Sequence, residues 1–323
     1  MKENPRLAES SPIFIVGTPR SGTTLLSFML SRHSNIVISP ETHFLSIWVK
    51  RYGSLNLKND NELEEFWEKF SSDERFSHLG IDSDSTFKKI NEAEVRDFRC
   101  IFTVILKEHS NVVKKKRWGE KTPAHYENVD TLLSWYPEAK VIWIIRDPRA
   151  VTASLLQAPW SSAFTHFHAE RWRDCANLFH EKWSKDDRVV LVRYEDLVQK
   201  PDTELRKLCD FLSEEYTPDL LEASKESMLV VNQVGWSKQH MEKAKKPIRN
   251  DSLDKWRRQL TSSQIGIIEK YTCSLMIRHG YIPVYGGLKF HHLFRYVNDK
   301  VKHKFSKLIL KLRKAKVNLL WKY

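Results

Sequence analysis

Pro12-Ile13-Phe14-Ile15-Val16-Gly17-Thr18-Pro19-Arg20-Ser21-Gly22-Thr23-Thr24-Leu25-Leu26 is an apolar run of strand length, then a glycine-bracketed loop, then the start of a helix. That order is the architecture of a phosphate cradle, because the loop's backbone N–H groups and those of the first helical turn converge on one anion. Gly17 and Gly22 stand at the G-x-x-x-x-G spacing of the nucleoside triphosphate loop, but Thr23 occupies the position where that loop carries Lys. A triphosphate-splitting site uses that Lys on the β- and γ-phosphates and the next hydroxyl on Mg²⁺. A loop with Arg20 inside it and Thr23-Thr24 after it therefore points to a different phosphorylated donor, bound without Mg²⁺. Taken alone, the segment also reads as a plain strand-to-helix turn.

The chain has 323 residues, long enough for a large core, and its apolar and charged fractions are those of a soluble globular protein. No Pro/Gly/Ser-rich linker or repeat divides it. We expect one main domain over residues 1–285 and an extension over residues 286–323. The N-terminal residues are polar and lead straight into the first strand, with no signal-like segment and no apolar run long enough to cross a bilayer. Cys100, Cys175, Cys209 and Cys273 show neither metal-like nor paired spacing, which favours reduced structural thiols. These features predict a cytoplasmic body. From Leu288 to Tyr323 there are eleven Lys/Arg and one Asp, so this segment supplies +10 of the net +12.

Three further segments extend the pattern. Asn35 to Ser39 reads as a short β-branched strand feeding Pro40-Glu41-Thr42-His43. Lys140 to Ile145 is a continuous apolar strand, as a parallel strand covered on both faces requires, and it ends at Arg146-Asp147-Pro148-Arg149. Val189 to Val192 is another strand and ends at Arg193-Tyr194-Glu195-Asp196. Residues from Leu45 to Lys116 are mostly helical in pattern, with Phe66, Trp67 and Phe70 as core aromatics, and Arg117 to Gly119 leads into Glu120-Lys121-Thr122-Pro123. Alternating strands and helices predict an α/β fold in which sites gather at the carboxyl edge of a parallel sheet. Arg146 closes a strand and Ser154 lies two turns into the following helix, so both can face one anionic group.

The pair Thr18-Pro19-Arg20-Ser21-Gly22-Thr23-Thr24-Leu25 and Arg146-Asp147-Pro148-Arg149-Ala150-x-x-x-Ser154 resembles the two donor-binding signatures of the sulfotransferase superfamily. The resemblance covers roughly Ile13 to Trp256 and is greatest toward the bacterial carbohydrate-type and tyrosylprotein-type members. It implies a P-loop-like three-layer fold with about five parallel strands, and 3′-phosphoadenylyl sulfate as co-substrate. Carried over by residue, it puts Arg20, Ser21, Gly22, Thr23 and Thr24 on the 5′-phosphosulfate, Arg146 and Ser154 on the 3′-phosphate, and Tyr194 and Ser237 near the nucleotide. The glycine-rich form of that last loop is only partly kept here, as Val234-Gly235-Trp236.

Sulfuryl transfer to an alcohol needs a base for the hydroxyl proton and a cation for the charge on the bridging oxygen. The resemblance implies Glu41 as base and Lys121 as cation, with His43 and His125 as rival bases. No metal is required and no metal-ligand spacing is present. Trp160, His166 and His168 follow in a Pro-Trp-containing loop suited to lining an acceptor pocket. The expected acceptor is a hydroxyl of a glycan or glycolipid, ahead of a peptide tyrosine or another alcohol or phenol. A nucleotide kinase and a non-catalytic membrane adaptor are the competing classes.

Phe294, Val297, Val301, Phe305, Leu308 and Leu312 recur at spacings of three and four with Lys300, Lys302, Lys304, Lys307 and Lys311 between them. This is a basic amphipathic helix. It suits the anionic inner face of a membrane, or docking on the body or on another copy. A basic helix alone has no fold to seat it in a groove, so no nucleic-acid partner is expected.

Overall fold

The computed structural model describes residues 11–221, 253–287, 296–298 and 300–304. In chain order the principal elements are β1 (Ile13–Gly17), α1 (Thr23–Leu30), β2 (Ile36–Ser39), α2 (Asp60–Ser71), α3 (Phe98–Val113), β3 (Arg117–Lys121), α4 (Val129–Trp135), β4 (Lys140–Ile145), α5 (Pro148–Leu156), α6 (Thr165–Leu178), β5 (Val189–Arg193), α7 (Tyr194–Gln199), α8 (Pro201–Leu212) and α9 (Ser262–Arg278). They fall into two compact units, one within Met1–Ile145 and Glu181–Asn250, the other within Arg146–His180 and Asp251–Tyr323.

The first unit is an α/β fold around a five-stranded sheet of order β2-β3-β1-β4-β5, parallel at every pairing. Successive side chains of a strand point to opposite faces, and both faces are covered here. Ile13, Ile15, Ile142 and Ile144 pack against Leu26 and Met29 of α1 and Leu205 and Leu208 of α8. On the opposite face Phe14 stacks on Phe102 of α3 at 6.2 Å and meets Tyr136, just after α4, at 5.7 Å. This two-sided burial is why β1 and β4 read as unbroken apolar runs. Among α2 and its surroundings, Phe66 and Phe70 stack at 5.8 Å and Phe44 meets both edge-on, so the aromatic stripe expected to be core is core.

The interior strand β3, between β2 and β1, has no such run, and hydropathy does not single it out. Its sequence is Arg-Trp-Gly-Glu-Lys, yet all five residues are buried. Each charge has partners in place of water. Arg117 donates to the backbone carbonyls of Ser11 and Leu212 and pairs with Glu214 at 2.9 Å, the two side chains being 4% and 9% exposed. Gly119 is needed for space, since a Cβ there would sit 2.4 Å from the Ile13 carbonyl oxygen of the adjacent strand.

In the second unit, α5, α6 and α9 bury a small cluster that includes Ala150, Ala153, Ala169, Trp256 and Ile268. α9 opens on a capping box between Thr261 and Gln264. His166 and His168 belong to α6 and are buried, whereas the sequence pattern places them in a loop. His168 donates its Nε2–H to the Ser162 carbonyl at 2.6 Å and so fastens the preceding turn, while Trp160 is 58% exposed. None of the four cysteines is in a disulfide. Among the described residues no helix is long and apolar enough to cross a membrane.

Removing one partner of a buried ion pair strands the other, so Arg117→Met is expected to cost about 3 kcal/mol of stability. Urea unfolding of Arg117→Met, and of the double variant with Glu214→Gln, measures this. Most of the loss should return in the double variant.

Candidate active site

The loop after β1 is bent by backbone conformations that few residues adopt. Gly17 has φ 145° and Gly22 φ 99°, and Arg20 between them takes φ 75°. A Cβ on Gly17 would lie 2.3 Å from the Ile144 carbonyl oxygen, and one on Gly22 would lie 2.2 Å from the Tyr194 ring. The ring of Tyr194, at the start of α7, thus lies over the loop glycine. α1 begins at Thr23 with no side-chain cap and no acidic residue in its first turn, which leaves its N–H groups and the positive end of its dipole for an anion. Ser21 Oγ is fully buried and, among the described residues, has no hydrogen-bond partner. A buried hydroxyl in that state wants an acceptor. These features fit a phosphate or phosphosulfate group.

β2 and β3 run parallel with Ser39 opposite Glu120, and Ile15 of β1 lies opposite Lys121. The chain leaving β2 therefore emerges at the carboxyl edge beside the end of β3, which brings Glu41 to Lys121. Lys121 Nζ donates to a Glu41 carboxylate oxygen and lies 3.2 Å from Thr24 Oγ1. The other Glu41 oxygen is 3.2 Å from His43 Nε2. Burial pushes the Glu41 carboxyl up, but Lys121 and His43 outweigh it and hold the group well below the usual carboxylate range. Glu41 is ionised and 36% exposed, whereas Lys121 is 7% exposed.

Beneath this pair lies a residue that the sequence reading passes over. Glu120, 1% exposed, accepts from the Thr42 N–H at 3.1 Å and the Thr42 hydroxyl at 2.9 Å, and also from the Thr122 hydroxyl. Thr122 Oγ1 in turn accepts from the His43 N–H at 3.2 Å. His125 Nε2 lies 3.1 Å from the Leu45 N–H, which can only donate, so the ring carries its proton on Nδ1 and gives it to Glu120 at 3.1 Å. Both nitrogens of His125 are committed and the ring is buried, which makes it a support and not a base. The single signal in the sequence is an acidic residue beside Lys121 in a segment that turns out to be a strand.

In the second unit, Arg146 and Ser154 are both half-buried, Ser154 on α5 and Arg146 two residues before it. The Arg146 carbonyl accepts from Trp172 Nε1 at 2.8 Å. Arg149 of the same signature is locked among Asp147 at 2.7 Å, Glu269 at 3.0 Å, the Ile282 carbonyl at 3.0 Å and the Trp256 ring at 4.1 Å. Its role is to hold the start of α5. Ser237 and its loop lie outside the described residues. Among those described, no group of three or more His, Cys, Asp or Glu could hold a metal ion.

The model of a family described as the sulfotransferase family matches residues 12–218. The chain belongs to the sulfotransferase family. Among curated relatives, a protein-tyrosine sulfotransferase of Drosophila melanogaster is 26% identical over 256 residues, 76% of this chain and 46% of that protein. Nodulation protein NoeE of Sinorhizobium fredii is 24% identical over 295 residues, 83% of this chain and 65% of that protein. The chain thus spans between about half and two thirds of the length of these relatives. Among solved structures, the sulfotransferase domain from the curacin biosynthetic pathway aligns with a TM-score of 0.57 at 22% identity, covering 84% of this chain and 98% of that one. The corresponding domain of the Synechococcus PCC 7002 olefin synthase has the same TM-score at 23% identity, covering 81% and 96%. These two likenesses establish the shared α/β fold with its parallel sheet.

Burial pushes the Glu120 carboxyl up, and electrostatic attraction to His125, with hydrogen bonds from His125, Thr122 and Thr42, more than reverses this, so its pKa is lowered in the folded chain. Below the ordinary glutamate pKa of about 4.3 the unfolded chain then binds more protons, and stability falls as pH drops through the folded value. Glu120→Gln is expected to unfold at lower urea near neutral pH and to show a shallower loss of stability on acidification. Urea titrations across the acid range measure both.

Proposed function

We propose that this chain is a sulfotransferase that moves the sulfuryl group of 3′-phosphoadenylyl sulfate to a hydroxyl of an acceptor and releases adenosine 3′,5′-bisphosphate. The observation that carries this reading is the pairing of ionised Glu41 with Lys121 Nζ beside Thr24, next to a loop whose buried Ser21 hydroxyl has no partner among the described residues. A carboxylate base and an ammonium lie together next to an anion cradle, as transfer to an alcohol needs. The donor, when bound, supplies the activated sulfuryl group and a phosphate leaving group.

The chain's own residues divide the remaining work. Ser21, Thr23 and Thr24, with the N–H groups of the loop and of α1, hold the 5′ end, and Arg20 adds positive charge. Arg146 and Ser154 take the 3′-phosphate, Tyr194 lies along the nucleotide and Ser237 contributes from the later loop. Glu41 accepts the hydroxyl proton of the acceptor. Lys121 neutralises the charge that grows on the bridging oxygen. Lys121 holds the Glu41 carboxylate, so turning its ammonium toward an incoming anion removes one of the two partners that depress the Glu41 pKa and raises the basicity of that carboxylate. A nucleotide kinase would need Lys at position 23, where this chain has Thr.

Two acceptor classes are compared. The sequence reading favours a glycan or glycolipid hydroxyl, and similarity to a protein-tyrosine sulfotransferase favours a tyrosine hydroxyl. Parallel assays with a glycan and a tyrosine-containing peptide distinguish them.

Calorimetric titration with adenosine 3′,5′-bisphosphate should give micromolar binding without metal, and ADP with Mg²⁺ should bind more weakly; the reverse order would overturn the assignment. Arg146→Ala should weaken the bisphosphate far more than its 3′-dephosphorylated analogue, and equal weakening would remove Arg146 from the 3′-phosphate. Glu41→Gln should leave bisphosphate affinity intact while lowering turnover by roughly two to four orders of magnitude. Unchanged turnover would move the base to His43.

A further inference from the structure

The helical stretch at residues 296–298 and 300–304 meets the rest of the second unit through an unexpected side. The Tyr296 hydroxyl lies 2.9 Å from that of Tyr271 on α9. Lys300 Nζ pairs with Glu170 of α6 at 2.9 Å, and His303 Nδ1 lies 2.7 Å from His166 Nε2. The His303 ring also stacks on Phe164 at 4.8 Å. Tyr296, Lys300 and His303 are spaced four and three apart, so they form one stripe of a helix. The contacts of this segment with α6 and α9 are thus polar and aromatic.

Val297 and Val301, again four apart, form a second stripe, rotated from the first by about 100° at 3.6 residues per turn. Both face outward, at 50% and 46% exposure. Asn298, Lys302 and Lys304 are exposed with them. In the sequence apolar residues follow at spacings of four, three and four, at Phe305, Leu308 and Leu312. A helix that docked on its own protein would turn its most apolar stripe inward and its lysines outward. Here the valines face out together with the lysines.

We infer that this outward stripe docks on an anionic lipid surface. Two features select that occupant over a second copy of the chain. The charge is one-sided, since the segment from Leu288 to Tyr323 carries eleven Lys/Arg against one Asp, and two such faces would repel each other on pairing. The combination of exposed valines with flanking lysines matches a bilayer interface, which accepts apolar side chains at the acyl boundary and attracts cations at the headgroups. Lys300 is already paired with Glu170, so Lys302 and Lys304 supply the headgroup contacts within the described stretch. The partner is identified by its chemistry, negatively charged headgroups above an apolar layer, and the inference is independent of the donor and acceptor assigned above.

The test is sedimentation of the full chain with phosphatidylcholine vesicles, with and without phosphatidylglycerol, for the parent chain, for Val297→Ser/Val301→Ser and for Lys302→Glu/Lys304→Glu. Because all four positions are exposed, the melting temperature should stay at the parent value, and measuring it separates loss of docking from loss of fold. The parent is expected to bind only the phosphatidylglycerol vesicles, more weakly as salt is raised. The valine pair should lower that partition by about tenfold, the area effect of two half-buried apolar side chains. The lysine pair should abolish binding at moderate salt. Three outcomes overturn the inference: no binding of the parent to anionic vesicles; binding that is salt-sensitive but indifferent to the valine pair, which would assign it to charge alone; or concentration-dependent self-association in analytical ultracentrifugation that the valine pair removes, which would make the stripe a contact between copies.

Discussion

The site depends on one buried carboxylate. Glu120 sits inside the sheet at the end of β3 and accepts hydrogen bonds from Thr42, Thr122 and His125. An ionised carboxyl in that place would be intolerable without such donors, and the donors it has are the residues that must be fixed. Thr42 follows Glu41 directly, Thr122 follows Lys121 directly, and Thr122 in turn holds the His43 backbone. His125, through its other nitrogen, fixes Leu45 in the turn that carries the chain away. The two groups assigned to chemistry are thus each one residue away from a side chain that Glu120 restrains. The geometry of the Glu41–Lys121 pair is thus held by a buried neighbour through the residues next to each.

The second unit repeats the device. Glu269 is fully buried and accepts from Arg149 and from the backbone N–H groups of Val284, Tyr285 and Gly286. Arg149 also binds Asp147, the cap of α5, and lies over the Trp256 ring. The acid and the guanidinium together tie the start of α5, the middle of α9 and the segment after it. Arg146 and Ser154 lie at and along this anchored element. Within the signature Arg-Asp-Pro-Arg, then, the middle acid and the last arginine hold the helix.

The legibility of the chain follows from where its charges are. β1 and β4 are visible because both faces of each strand are covered and, Lys140 at the start of β4 aside, their residues carry no polar side chain. The glycine loop is visible because Gly17 and Gly22 adopt backbone conformations and approach distances that side chains do not allow. β3 is invisible for the opposite reason: its Arg, Glu and Lys are solvated in any one-dimensional reading and become compatible with a buried strand only when Glu214, Thr42 and Glu41 are brought to them. Glu41 and Lys121 can be picked out as reactive types by resemblance to a family, but neither residue carries a local mark of the other, since eighty positions separate them.

What the sequence alone determined was the sign and character of each part. Legible there are a glycine-bracketed loop without the triphosphate lysine, apolar strands, two segments that resemble the family's donor-binding signatures and a basic amphipathic pattern over the last residues, because each rests on the spacing of neighbouring residues. What only the tertiary structure decided was which distant groups meet. The parallel register that sets Ser39 against Glu120 brings Glu41 to Lys121 and places Glu120 among the hydrogen bonds that commit His125 to support, and in the second unit the contacts of Tyr296, Lys300 and His303 leave Val297 and Val301 exposed. These are long-range pairings, and their partners are chosen by the packing of strands and helices, which no window along the chain contains.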